Sequence, residues 1–343
     1  MTPDFLITID TEADDEWHDE GDRTYANIQA LPRLQDLCDH HGLKPTYLAT
    51  YDVTADDASR EILQALSRAG NCEIGAHLHA WSTPPDYDLM PNIFQHSPYL
   101  HEFPPDVQAA KLDALTGILT EAYGKPQSYR GGRWAFDSLA ATMLIERGYV
   151  VDTSVTPGIS WRINGGYSPG SGGPDYSRET VRPYRLVLGS AELIEAPVSI
   201  AATGALRHLG HTPFESLGAL GALCRRGLHK TGLCRMVWLR PGFTSAEQMH
   251  WVCDNLCRRG IPLLNLMFHS SELIPRGSPR VRTQAAADEI WASLSSLFEY
   301  VTGHVGVRAL TLTSWARHWQ EQHRSPTPAR ATSATLREAP THG

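Results

Sequence analysis

The stretch FLITIDTEADDEW, residues 5–17, joins a run of mostly apolar residues directly to a cluster of acids. Residues 5–9 have the apolar and β-branched character of a buried strand, and Asp10 and Glu12 follow at once. Burial of an unpaired charge is costly, so carboxylates at the end of such a strand need a partner. The stretch therefore predicts that positively charged groups lie opposite Asp10 and Glu12.

Short apolar segments alternate with helical patterns along the rest of the chain. Strand patterns occur in KPTYLATYD, CEIGAHLHAW, SYRGGRW, YVVDTSV, AELIEAPVSI and IPLLNLMFHSSEL, with helical patterns between most of them. Strands separated by helices of this length predict parallel βαβ units and an α/β fold. About seven such strands favour a closed or nearly closed β/α barrel. An open doubly wound sheet is the alternative, although no GxGxxG fingerprint follows the first strand.

The alternation predicts a single domain over residues 1–324. Residues 201–240, which are basic and rich in leucine, are expected to form a helical insertion. The final segment, 325–343, is composed of small and polar residues with several prolines, and we expect it to be disordered.

Composition excludes several classes of partner. Of the 343 residues, 41% are hydrophobic and 20% are charged, which is typical of a globular protein with a sizeable core. The net charge is −8 and no basic cluster dominates a segment, so nucleic acid is not expected as the main partner. No apolar run reaches the ~20 residues of a membrane span, and the first residues lack a signal-peptide pattern, so we expect a cytoplasmic protein. The oligomeric state stays open.

Polar residues fall at the carboxyl ends of the predicted strands, where β/α barrels build their active sites. They are Asp10, Glu12, His77, His79, Arg130, Arg133, Asp152 and His269. Each alone has a structural explanation, such as a helix cap, a surface pair, an ion pair or a hydrogen-bonded core histidine. Their shared position at successive strand ends predicts one common site.

The spacing of these residues predicts a metal site. Side chains alternate along a strand, so Asp10 and Glu12 lie on one face, as do His77 and His79. A carboxylate with one or two imidazoles is a usual ligand set for zinc or another borderline divalent ion. Glu12 is therefore expected to face a cation, and Asp10 to face the attacking water as its base.

Five segments carry a resemblance to a known family. In chain order they are ITIDTE (7–12), EIGAHLHAW (73–81), SYRGGRW (128–134), YVVDTS (149–154) and NLMFHSSEL (265–273). They resemble the ordered motifs of the polysaccharide deacetylases, the NodB-homology carbohydrate esterases. The resemblance spans about residues 5–275 and implies a distorted seven-stranded (β/α) barrel.

The resemblance implies a catalytic role for four residues. Asp10 matches the catalytic base and Arg130 the arginine that orients it. His269 matches the general acid, and Asp152 matches an acid that supports this histidine.

The resemblance also implies metal ligands, with one departure from the family pattern. Glu12 matches the metal-binding acid and His77 the first metal-binding histidine. The family's second histidine usually follows four residues after the first, where this chain has Trp81. His79 is the substitute that strand geometry permits, and zinc is the favoured ion.

The function so implied is metal-dependent removal of an N-acetyl group from a saccharide or a related small compound. Trp81, Arg133 and Trp134 are expected to bind this substrate. Two alternatives stay open at this point. One is hydrolysis of another amide or of a glycosidic bond on the same barrel, with Glu195 as the carboxylate partner of Asp10. The other is a catalytically silent saccharide binder that uses tryptophans as stacking surfaces, namely Trp17, Trp81, Trp134 and Trp161.

Overall fold

The computed structural model describes residues 2–16, 23–90, 96–205, 224, 227–228 and 230–323. Outside these residues lie Trp17, positions 206–223, 225, 226 and 229 of the predicted helical insertion, and the predicted disordered tail (325–343). No described helix combines the length and the apolar content that a membrane-spanning segment requires.

Seven parallel strands form the main sheet. The strands of the described residues are β1 (Asp4–Thr11), β2 (Pro45–Ala49), β3 (Glu73–Leu78), β4 (Ser128–Gly131), β5 (Val151–Asp152), β6 (Tyr184–Leu188), β7 (Ala191–Glu195), β8 (Ile200–Thr203), β9 (Arg235–Trp238), β10 (Leu263–His269) and β11 (Arg308–Ala309). The parallel strands follow the order β10-β1-β2-β3-β4-β5-β7. Strand β6 lies antiparallel to β7, and β11 pairs with the start of β1. The predicted α/β class, a distorted seven-stranded (β/α) barrel, is confirmed.

Helices pack around this sheet and against one end of the barrel. They are α1 (Leu31–His40), α2 (Tyr51–Ala55), α3 (Asp57–Ala69), α4 (Pro105–Tyr123), α5 (Ser138–Glu146), α6 (Ala246–Arg258), α7 (Gln284–Tyr300) and α8 (Leu312–Gln322). Their ends follow ordinary capping chemistry. The Asp56 side chain accepts a hydrogen bond from the Ser59 amide to begin α3, and Gly70, with φ of +80°, ends it.

The buried side chains of strand β1 alternate between the two faces of the sheet. Phe5, Ile7 and Ile9 belong to the large apolar core beneath the helices. Leu6 belongs to a separate apolar cluster that contains Trp315 of α8. Above it on the same face come Thr8 and then Asp10. The barrel interior therefore has an apolar floor, a polar middle and a charged rim.

The seam between β7 and β10 is closed indirectly. The Ser199 amide donates to the carbonyl of Asn265 in β10, at 3.1 Å, and the Leu239 amide donates to the carbonyl of Ser199, at 2.8 Å. Strands β8 and β9, at the two ends of the predicted insertion, pair as an antiparallel ribbon that leads into this seam. This ribbon is a separate two-stranded sheet beside the seam.

Candidate active site

Strand register brings the predicted catalytic residues together. Asp10 of β1 lies opposite His269 of β10, and His77 of β3 lies opposite Arg130 of β4. Asp10 Oδ2 is 3.6 Å from His269 Nε2 and 3.8 Å from His77 Nε2. The predicted convergence of these four residues at one mouth of the barrel is therefore seen in the structure.

Glu12, His77 and His79 form a compact cluster of possible ligands. Each offers one ligand atom, and the three atoms lie within 4.8 Å of one another. Glu12 Oε2 is 3.3 Å from His79 Nε2 and 3.9 Å from His77 Nε2, and all three side chains are buried. Within the described residues, Glu12 Oε1 has no hydrogen-bond partner. The buried Glu12 carboxylate has one oxygen without a hydrogen bond and the other next to two imidazoles, which fits a borderline divalent cation such as zinc.

The backbone fixes which nitrogen His77 presents to this cluster. His77 Nδ1 lies 3.0 Å from the carbonyl oxygen of Arg130, so it is the donor of this hydrogen bond when the ring is neutral. Burial, the largest influence, lowers the pKa of His77 to about 3, so the ring is neutral at physiological pH. The lone pair of Nε2 is then free to bind a cation.

Two carboxylates, those of Glu12 and Glu16, lie beside the ring of His79. Burial alone would lower the pKa of His79, but the carboxylates of Glu12 and Glu16 outweigh it and raise the pKa to about 10. Burial raises the pKa of Glu12 in turn. A proton therefore supplies the positive charge that these acids require, and a bound cation would replace it.

Asp10 is held as a carboxylate by a buried arginine. Arg130 Nη1 donates to Asp10 Oδ1 at 2.5 Å, and Nη2 donates to Thr8 Oγ1 at 2.7 Å. The Nε–H of Arg130 donates to the carbonyl of Thr153 at 3.0 Å. Burial alone would raise the pKa of Asp10, but Arg130 and the nearby His77 and His269 together lower it below its usual range. Asp10 is therefore ionised and rigidly oriented.

His269 is supported by two residues that the sequence reasoning missed. Arg240 Nη2 lies 2.9 Å from His269 Nδ1 and donates to Glu272 Oε1 at 2.7 Å. Glu272 Oε2 accepts the backbone N–H of His269 at 3.0 Å and lies 3.5 Å from its Nδ1. Burial would lower the pKa of His269, but the acids around it, Glu12 foremost, raise the pKa above its usual value. The spacing of HSSEL, an acid three residues after the histidine, was the available signal.

Asp152 does not have the surroundings that the resemblance implied. Its carboxylate accepts hydrogen bonds from the Ser154 amide at 2.9 Å and from the Ser154 hydroxyl at 2.8 Å. Its register partner on β7 is Glu195, another fully buried acid. The acid that contacts His269 is Glu272, and a supporting role of Asp152 stays a prediction.

Two of the three expected substrate-binding residues lie beside the catalytic groups. Trp81 stacks on His79, with ring centroids 4.2 Å apart and planes 24° apart. The guanidinium carbon of Arg130 is 5.5 Å from the centroid of the Trp134 ring. Trp134 in turn lies 6.2 Å from Trp161 and 5.9 Å from Trp238, so an aromatic cluster borders the site.

Arg133 has a different environment. It donates to the carbonyl oxygens of Ser97 and, at 2.8 Å, of Gly165, and its guanidinium carbon lies 3.9 Å from the Tyr99 ring centroid. These contacts tie two loops to the end of β4. Arg133 therefore organises the loops around the mouth.

Comparison with solved structures identifies the fold. A protein assigned as a polysaccharide deacetylase from Mycobacterium smegmatis matches with a TM-score of 0.55 and 17% identity over 94% of this chain and 91% of that one. A similarly assigned protein from Pseudomonas aeruginosa PAO1 matches with a TM-score of 0.54 and 16% identity over the same shares. An allantoinase, PuuE, matches with a TM-score of 0.53 and 15% identity, also over 94% and 91%.

These likenesses identify the fold of the chain. The chain has the NodB-type deacetylase fold, as its ordered motifs predicted. No family model and no curated protein matches the sequence.

Proposed function

We propose that the protein is a metal-dependent hydrolase that removes an N-acetyl group from a saccharide or a related N-acetylated compound. The observation that carries the proposal is the juxtaposition of three ligand atoms within 4.8 Å with an ionised Asp10 and with His269. A protein that only bound saccharides would gain nothing from burying so many charged groups at one point.

Glu12, His77 and His79 would hold the divalent ion, with zinc favoured by the mixture of oxygen and nitrogen donors. Such an ion would supply a Lewis acid that polarises the acetamide carbonyl and makes water more acidic. Three protein ligands would leave positions on such an ion for water and substrate, as catalytic sites require.

The residues of the chain divide the proton transfers between them. Asp10 takes the proton of the attacking water, and Arg130 keeps the carboxylate ionised and aimed. His269, whose pKa the surrounding acids raise above its usual value, gives a proton from Nε2 to the departing amine. Glu272 and Arg240 hold the ring of His269 at its Nδ1 side, which leaves Nε2 directed at the reacting group.

The aromatic cluster provides a surface for a sugar ring. Trp134 borders Arg130, and Trp161 stacks beside it with planes 17° apart. Trp81 stacks on His79 of the ligand cluster. Amphipathic sugar rings bind such flat apolar surfaces while their hydroxyls remain hydrogen-bonded. A small or oligosaccharide substrate is therefore the partner we propose.

The test combines metal analysis with a product assay. The metal content of the purified protein would be measured before and after chelation, and acetate release would be followed on a panel of N-acetylated sugars with zinc restored. The proposal predicts acetate release that is lost with the metal and returns with it. A protein that retains no metal and releases no acetate from any substrate would be a silent binder.

The second candidate function is hydrolysis of another amide bond or of a glycosidic bond, and two observations support it. The allantoinase among the matching structures is named for a non-sugar substrate. Glu195 and Asp152, register partners at the ends of β7 and β5, form a buried carboxyl pair in which burial raises both pKa values. Hydrolysis of a glycosidic bond by the protein after metal removal would favour this candidate.

A further inference from the structure

His79 occupies an unusual position for a ligand in this fold, and its ring needs a means of orientation. Its Nε2 faces Glu12 Oε2 at 3.3 Å, so Nε2 is the atom directed into the ligand cluster. An imidazole that binds a cation through Nε2 carries its proton on Nδ1. What lies opposite Nδ1 therefore decides how well His79 serves as a ligand.

A second acid lies opposite that nitrogen. Glu16 Oε2 is 3.7 Å from His79 Nδ1, and the Glu16 side chain is 6% exposed. Within the described part of the chain, neither atom has a hydrogen-bond partner. Two complementary buried atoms at this separation need only a small rotation of either side chain to form a hydrogen bond.

The carboxylate of Glu16 is itself held in place. Arg23 Nε lies 3.6 Å from Glu16 Oε1, and Arg23 Nη1 donates to Asp52 Oδ2 at 2.6 Å. Arg23 therefore links the segment that carries Glu16 to helix α2, which carries Asp52. The ion pair with Arg23, which lies outside the ligand cluster, therefore helps to hold the Glu16 carboxylate beside His79.

The face of the His79 ring is also fixed. The Trp81 indole stacks on it, with centroids 4.2 Å apart. Trp81, which stands at the position of the family's usual second histidine, thus limits rotation of the His79 ring. Rotation is restricted by the stacking, and the tautomer is left for Glu16 to set.

We propose that Glu16 is a positioning residue that accepts the Nδ1–H of His79 and so presents Nε2 to a divalent cation. The inference rests on the metal site of the proposed function. It assigns to Glu16 the carboxylate role in a carboxylate–histidine–metal arrangement, in which the outer acid fixes the ring and raises its basicity. In this chain, that role supports the one ligand whose position departs from the usual spacing.

The test is a double-mutant cycle read by metal affinity alone. Zinc affinity of the full chain would be measured by competition with a chromophoric chelator for the wild type, Glu16→Gln, His79→Ala and the double variant. We expect Glu16→Gln to weaken zinc binding ~10–100-fold, and to have less than about a two-fold effect when His79 is already alanine. Glu61→Gln, an exposed acid on α3, is the matched control and should bind zinc as the wild type does.

Each other outcome has a definite meaning. Unchanged zinc affinity in Glu16→Gln, or an equal loss in the His79→Ala background, would overturn the inference, because Glu16 would then not act through His79. Imidazole ¹⁵N shifts of the zinc-loaded wild type provide a measurement without substitution, and a proton on Nε2 of His79 would also overturn it. Zinc binding without acetate release would refute only the proposed reaction. Absence of zinc binding in the wild type would refute both.

Discussion

Replacement of Glu272 by glutamine is expected to destabilise the protein in a pH-dependent way. The carboxylate is 1% exposed, and it accepts hydrogen bonds from Arg240 and from the backbone of His269. Burial alone would raise the pKa of Glu272, but Arg240 and His269 outweigh it and lower the pKa from 4.5 to about 2. Glutamine keeps the shape of the side chain and removes the charge that these partners stabilise.

The magnitude follows from the pKa. At about 1.4 kcal/mol for each tenfold change in proton affinity, a fall from 4.5 to about 2 corresponds to about 3 kcal/mol of folding stability. Because the pKa is lower in the folded state, this contribution is fully present well above pH 4.5 and is lost as the pH falls toward 2. With about 2 cal/mol/K of unfolding entropy per residue, the expected fall in Tm near pH 7 is about 4–5 °C.

The assay is urea unfolding followed by tryptophan fluorescence. The wild type, Glu272→Gln and the control Glu121→Gln, an exposed acid on α4, would be compared at about pH 7 and about pH 4. The difference between Glu272→Gln and the wild type should shrink by about 1 kcal/mol between these conditions. A difference that does not change with pH, or no difference at all, would refute the reasoning.

Three further predictions concern the catalytic and ligand residues. Asp10→Asn should lower turnover ~10²–10⁴-fold in an acetate-release assay, because proton transfer is lost, while zinc affinity in a chelator competition stays near that of the wild type. Loss of zinc in that variant would instead make Asp10 a ligand. Arg130→Gln removes a charge that lowers the pKa of Asp10, so the acid limb of the pH profile of kcat/KM should move to higher pH. An acid limb that does not move would contradict the role of Arg130. His77→Ala and His79→Ala should each weaken zinc binding by more than the ~10–100-fold loss typical of changing a residue that only contacts a ligand. Full zinc occupancy in the His79→Ala variant would exclude His79 as a ligand.

Much of the site was predictable because it depends on strand ends. The apolar run before Asp10 predicted β1, and parallel strands place their carboxyl ends at one mouth, so Asp10, His77, Arg130 and His269 could be grouped from the sequence. Alternation along a strand likewise predicted that His79 would join Glu12.

The missed residues depend on contacts that no local pattern encodes. Arg240 follows β9, and β9 lies in a segment whose leucine-rich composition favoured a helical interpretation. Its pairing with Glu272 spans 32 positions of sequence. The partner of Asp152 could not be predicted either, because it depends on the register between β5 and β7.

The apolar floor of the barrel determines how molecules can move through the site. Leu312, Trp315 and Ala316 of α8 pack against Leu6 of β1 at the end of the barrel opposite the ligand cluster. For the proposed reaction, substrate arrival and departure of both products would then share the opening bordered by Trp134 and Trp81. Acetate and the deacetylated amine would leave past the same tryptophans that received the substrate, so retention of one product at this opening would delay the next turnover.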